Sequence, residues 1–152
     1  MKINMKRLLL IILLLGCENS GNSFPKYFGQ YTETDEDGDI FNQDYDDWCT
    51  TNTFVGCDTP SYLKFGPAYP NPTNGPITIP FNIPSGNTKL YVQNQSGTTI
   101  DVIIDSVIAT HCDYQMIWNS SHLDDGLYRF ILETEYDTCY GDVYILSNPT
   151  SE

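Results

Sequence analysis

Short runs in which apolar residues fall at every second position recur from Gly66 onward, broken by glycine, proline and aspartate turns. This pattern constrains the fold more than any other feature, because an extended strand points its side chains alternately to opposite faces. Each run can therefore bury one face against a second sheet. Ile77, Ile79, Phe81 and Ile83 alternate with Thr78, Pro80 and Asn82. Pro80 cannot donate to a ladder, which predicts a sheet edge for this strand. Leu90 and Val92 point inward between Lys89, Tyr91 and Gln93; a Ser96-Gly97 turn follows, and Ile100, Val102 and Ile104 repeat the pattern inward, predicting a hairpin. Tyr114, Met116 and Trp118 mark a further strand, Tyr128, Phe130 and Leu132 another beyond the turn Asp124-Asp125-Gly126, and Val143 and Ile145 the last. No window sustains a helical period, and Tyr, Thr, Ile, Val and Phe fill the runs. The expectation is an all-β chain in which residues 66–149 form an antiparallel β-sandwich of about seven strands, with Trp118 as a core anchor and residues 150–152 as a tail.

The other end of the chain is built differently. Lys6 and Arg7 precede an apolar run from Leu8 to Leu15, and Gly16 stands immediately before Cys17. The run is far shorter than the roughly 20 apolar residues a spanning helix needs, and the layout is that of an export segment. Leu14, Leu15, Gly16 and Cys17 resemble the lipobox of bacterial lipoproteins. The resemblance implies that residues 1–16 are a signal peptide, that Cys17 is lipidated, and that this lipid attaches the chain to a membrane. Glu18 is not the aspartate associated with inner-membrane retention in some bacteria, so the expected location is the cell envelope, as an outer-membrane lipoprotein facing the periplasm or the cell surface. Residues 17–65 then read as a lipid-anchored, irregular acidic arm, opening with the polar tether Glu18-Asn19-Ser20-Gly21-Asn22-Ser23.

The full chain carries a formal net charge of −13. Loss of the first 16 residues removes Lys2, Lys6 and Arg7 and no acidic residue, leaving −16. Such a field repels phosphate-bearing partners, whose binding requires Lys and Arg, so nucleic acid is excluded as a partner.

Of the five cysteines, four remain once Cys17 is acylated, an even count in an exported chain. Two disulfides are expected. Four cysteines allow three connectivities, of which Cys49 with Cys57 and Cys112 with Cys139 is the preferred one. Zinc is disfavoured, because Cys49 and Cys57 lack a CxxC spacing and Cys112 and Cys139 have no neighbouring cysteine.

Asp35, Asp37, Asp39 and Asp46 occupy positions one, three, five and twelve of a loop resembling an EF-hand or dockerin repeat, and calcium is the one cofactor such a set suggests. Ile40 stands where that loop needs a glycine, and no amphipathic helix follows, so a solvated acidic arm without a cofactor is the expected state. No nucleophile elbow is present, and Ser121, His122 and Asp124 are mere sequence neighbours, as are His111 and Cys112. Catalytic residues are not expected and the chain is read as a non-enzyme. Tyr69, Tyr91, Tyr114, Tyr128, Tyr136, Tyr140 and Tyr144 suit either a binding surface or the half-buried faces of a sandwich.

The segment Ala68-Tyr69-Pro70-Asn71-Pro72-Thr73-Asn74-Gly75-Pro76-Ile77-Thr78-Ile79-Pro80-Phe81 resembles the opening of type IX secretion C-terminal sorting domains and of the related immunoglobulin-like domain of flagellar hook-capping proteins. Leu90-Tyr91-Val92, Ile117-Trp118-Asn119 and Gly126-Leu127-Tyr128 follow in that family's order. The resemblance covers about residues 66–146 and implies an immunoglobulin-like sandwich. Family members acting as secretion signals usually follow a large cargo domain and often carry a basic terminal strand, whereas Tyr144-Ile145-Leu146-Ser147-Asn148 ends in polar residues. The expected function is display of the sandwich on the envelope for attachment or interaction with an envelope protein. The alternative is a type IX substrate that uses the sandwich as its sorting signal toward the secretion machinery.

Overall fold

The alternating runs emerge as strands in the computed structural model, which describes residues 30–49, 63–83, 85–110, 112–135 and 137–146. In chain order these are β1 (Glu33–Thr34), β2 (Ile40–Asn42), β3 (Lys64–Phe65), β4 (Pro76–Ile83), β5 (Gly86–Asn94), β6 (Thr99–Ala109), β7 (Cys112–Asn119), β8 (Gly126–Thr134) and β9 (Thr138–Ile145). One sheet has the order β3-β4-β7 and a second β6-β5-β8-β9, while β1 and β2 pair apart from both. All six pairings are antiparallel. The seven strands β3 to β9 thus form an immunoglobulin-like sandwich, the chain changing sheets after β4, β6 and β7 and making hairpins at β5-β6 and β8-β9.

Inside, Phe65, Ile77, Ile79, Phe81, Ile83, Leu90, Val92, Phe130, Leu132, Val143 and Ile145 are buried almost completely. Tyr128, near the start of β8, donates from its hydroxyl to the Asp124 carbonyl at 3.0 Å. This is the tyrosine corner of immunoglobulin-like domains, in which a tyrosine ring enters the core and its hydroxyl ties down the preceding turn. Trp118 is 7% exposed and meets the Phe130 ring edge to face at 5.3 Å. Its indole N–H donates to Asp101 Oδ2 at 2.6 Å, so the ring is buried with its polar atom satisfied.

Two expectations about strand faces need correction. Pro80 does not make β4 an edge strand, because β4 lies between β3 and β7. Gly66 donates to the Pro80 carbonyl at 3.0 Å, which shows that the backbone of Pro80 faces β3. Its missing N–H thus falls where the β3 pairing, Lys64 to Asn82 and Phe65 to Phe81, comes to its end. Ile100 and Val102, expected to point inward, are 36% and 42% exposed. The β5-β6 ladder shifts register at three places, and every one-residue shift turns the following side chains to the other face. Asp101 consequently points inward to Trp118, and Ile103 and Ile104 pack on the core.

Part of the acidic arm packs on the sandwich. Thr32, Thr34, Asp47 and Trp48 are buried, and Trp48 and Phe65 belong to the same core cluster as β4, β5, β8 and β9.

Candidate functional site

The residues that join the arm to the sandwich form the most elaborate constellation in the protein. Asp44 starts it: its carbonyl accepts from the Asp47 N–H at 3.3 Å and its Oδ1 from the Asp46 N–H at 3.1 Å, a turn that turns the chain toward β9. Trp48 then adopts a φ of 60°, uncommon for a bulky residue. Its N–H bonds the Tyr140 carbonyl of β9 at 2.8 Å, and the next N–H, of Cys49, bonds the Phe65 carbonyl of β3 at 3.1 Å. Two consecutive residues therefore strap the edge of one sheet to the edge of the other. Between these bonds the indole packs edge to face on Phe65 at 5.0 Å and lies against Gly141, where an added Cβ would come within 2.2 Å of the ring. Gly141 is required here by close approach rather than by its backbone angle.

A disulfide closes the strap. It joins Cys49 to Cys139, with Cα atoms 5.8 Å apart, and so corrects the expected pairing of Cys49 with Cys57 and Cys112 with Cys139. The short sequence spacing that favoured Cys49 with Cys57 is outweighed by the strap, which carries Cys49 onto β9. Cys112 is also disulfide-bonded.

Beside the strap, Arg129 of β8 grips Asp142 of β9 through both carboxylate oxygens, Nε to Oδ1 and the terminal nitrogen to Oδ2, each at 2.6 Å. Both side chains are buried, and the guanidinium lies over the Tyr140 ring at 4.4 Å. Asp47 joins this pair, accepting from the Asp142 backbone N–H, while its Oδ2 has no partner among the described residues. One guanidinium thus faces two buried carboxyls. Burial, followed by repulsion from Asp142, pushes the Asp47 carboxyl up to about 8. Burial also raises Asp142, against the hydrogen bond and charge of Arg129, which lower it.

Between the unfolded value of 3.8 and about 8, the folded chain holds a proton on Asp47 that the unfolded chain has released. Stability contributed by Asp47 is therefore full below pH 4 and declines as the pH rises to 8. Asp47→Asn, which mimics the protonated carboxyl, should match the wild type near pH 4 and exceed it at pH 8. Urea titrations across that range check this; a wild-type advantage at pH 8 would contradict the assignment.

The Tyr69-Pro70-Asn71-Pro72 turn completes the junction. Asn71 is fully buried, and its amide donates to the Thr32 carbonyl at 2.7 Å and the Asp142 carbonyl at 3.1 Å, while its Oδ1 accepts from the Tyr144 N–H at 3.0 Å. Its backbone exchanges two further bonds with Thr34. An amide is the side chain that offers two donors and an acceptor in this space. Thr73 next bonds the backbone of Tyr144 and Leu146 along the β9 edge, and Tyr31 stacks on Tyr144 at 5.5 Å.

Of the residues singled out from sequence, Cys17, Cys57, His111 and Tyr136 lie outside the described residues. Asp35 turns its Oδ1 to the N–H groups of Asp37 and Asp39, both at 2.9 Å, capping its own turn. Among the described residues no three His, Cys, Asp or Glu side chains are gathered to hold a metal, so Asp35, Asp37, Asp39 and Asp46 do not meet as a cation site. His122 is exposed and lies edge to face against Trp118 at 5.9 Å rather than in a triad. The tyrosines are dispersed: Tyr91 and Tyr128 are buried, Tyr114 stacks on Phe81, and Tyr140 lies under Arg129. A groove of about 340 Å³ lined by Gln30, Tyr31, Glu33, Asn42, Gln43 and Asp44 holds no nucleophile beside a base. Sequence reasoning missed the Asp47, Arg129 and Asp142 trio; the signal was an arginine and an aspartate at outward positions of adjacent strands, usable only once the β8-β9 register is known.

Fold and junction together define an immunoglobulin-like sandwich whose Y-P-N-P turn binds the preceding segment to its last strand. Residues 67–143 match the model of the secretion system C-terminal sorting domain, and the chain belongs to that family, the sorting domains of type IX secretion. This places it among secreted or cell-envelope proteins and in a family that sorts rather than catalyses. No curated protein and no solved structure matches the chain.

Proposed function

We propose that the chain is a non-enzymatic envelope lipoprotein, attached to the membrane through a lipid on Cys17, that displays the sandwich for attachment to another envelope protein. The observation that carries this reading is the strap. Trp48, Cys49 and Asn71 make the described part of the arm, residues 30–49, one folded unit with the sandwich, so the sandwich stays with whatever holds the arm. The acidic surface keeps the displayed domain off anionic head groups and nucleic acid.

Metabolic labelling with a fatty-acid analogue tests the anchor: the wild-type chain should incorporate label and Cys17→Ser should not. Label that persists in Cys17→Ser would sink the reading.

The family match favours a second reading, in which the sandwich is the sorting signal and secretion machinery its partner. Residues 30–152 fused behind a periplasmic reporter in a type IX-competent bacterium separate the two. This fusion retains Trp48 and Cys49, which a cut at Gly66 would remove from the core. The display reading expects the reporter to stay in the periplasm. Secretion-dependent delivery to the surface would establish the second.

A further inference from the structure

The two sides of the sandwich are finished differently. On one side the edge strands are occupied, β3 by Cys49 and β9 by Trp48 and Thr73. On the other side the edges are β6 and β7, and the apolar residues Ile103, Ile104, Tyr114, Met116 and Leu123 are only partly covered.

The two open edges are not equivalent. β6 carries three register shifts against β5 and a left-handed Ser106 at φ 50°, irregularities that blunt a strand against further pairing. β7 pairs with β4 without a shift, from Asn119 opposite Pro76 to Cys112 opposite Ile83. Thr78 and Pro80 direct their backbone groups to Tyr69 and Gly66, away from β7. Alternation then directs those of Ile77, Ile79, Phe81 and Ile83 to Trp118, Met116, Tyr114 and Cys112. The N–H and C=O groups of Gln115 and Ile117 therefore point off the sheet, and among the described residues no backbone partner meets them. The Ile117 side chain is 73% exposed.

Charge selects the occupant. From Asn94 to Tyr128, a stretch that includes β6, β7 and the turn after β7, the sequence holds Asp101, Asp105, Asp113, Asp124 and Asp125 and neither Lys nor Arg. A second copy of the chain would bring like charges together at this edge, whereas a cationic strand would meet opposite ones.

We propose that β7 is a strand-addition site for an extended segment of a partner protein in which apolar side chains alternate with Lys or Arg. The added strand takes its backbone bonds from Gln115 and Ile117, lays its apolar side chains over Met116 and Tyr114, and sets its cations among the aspartates. The proposal is independent of the lipid anchor and of the export route.

The test uses the purified chain and a fluorescein-labelled peptide of about ten alternating valine and lysine residues, long enough for a strand, with a valine-glutamate peptide as control. Fluorescence anisotropy is read at about 0.15 M salt, where charges more than about 8 Å apart are largely screened. Ile117→Pro deletes the outward N–H without touching a β4 bond and leaves the net charge unchanged, so the variant should keep its melting temperature. The lysine peptide should bind the wild type and lose about tenfold or more in affinity for Ile117→Pro, and the glutamate peptide should not bind. Equal binding to both proteins, no binding of the lysine peptide, or equal binding of both peptides would overturn the proposal. A dimer of the chain alone that Ile117→Pro abolishes would also overturn it, assigning the edge to a second copy.

Discussion

Trp118→Ala should destabilise the protein by about 3 to 5 kcal/mol, the range for emptying a large aromatic site in a close-packed core. The ring fills the space between Phe130 and His122 and anchors β7, which among the described residues has a ladder on one side only. Substitution also takes the indole N–H from Asp101, the residue that turns the bulged β6 toward the core. The loss in melting temperature should be on the order of 10 to 20 °C for a domain of this size. Trp118→Phe, which restores most of the volume and not the N–H, should fall between. Thermal unfolding followed by near-ultraviolet circular dichroism measures both, and an unchanged melting temperature for the alanine variant would place the ring outside the core.

Removal of the Cys49–Cys139 bridge by a Cys49→Ala, Cys139→Ala double substitution should cost about 4 to 5 kcal/mol. The two residues are 90 apart in sequence, and the stabilisation from constraining the unfolded chain grows with the logarithm of the closed loop. The bridge in the sequence-preferred pairing of Cys49 with Cys57 would close a much shorter loop and contribute less. The effect should appear as a drop in the urea midpoint, and as an m-value raised by a denatured state freer to expand. Peptide mapping without reductant should recover the Cys49 and Cys139 peptides linked to each other. A Cys49–Cys57 peptide would refute the bridge.

What the sequence disclosed and what it hid divide along physical lines. Strands β4, β7, β8 and β9 were readable because each turns an apolar face to the core in a regular ladder, so Ile77, Trp118, Phe130 and Val143 fall at the period-two positions of their strands. The faces of β6 were not readable, because a bulge changes which residue opposes which without changing composition. Pro80 was misplaced because proline excludes one hydrogen bond and says nothing of the strand's other side. The junction was hidden for a different reason. Thr32, Thr34, Asp47 and Asn71 are buried by hydrogen bonds to distant backbone, and polar residues in an aperiodic segment carry no signature of such partners. The asparagine of the Y-P-N-P motif could be recognised as a landmark, but the bonds its amide makes to Thr32, Asp142 and Tyr144 became visible only in three dimensions.

The order in which the chain becomes available gives the Trp48 strap a temporal meaning. Trp48 closes on Tyr140, and Asn71 on Asp142 and Tyr144, so residues early in the domain have their partners near its end. Long-range pairings of this kind are slow to form and cannot form at all until the later strand is present. A chain that becomes available from its N-terminus, as any chain does during synthesis, keeps its first half unsealed until β9 has followed. Sealing of the first half is thereby tied to the arrival of β9: the strap and the Asn71 bonds close only on a chain whose last strand is already present.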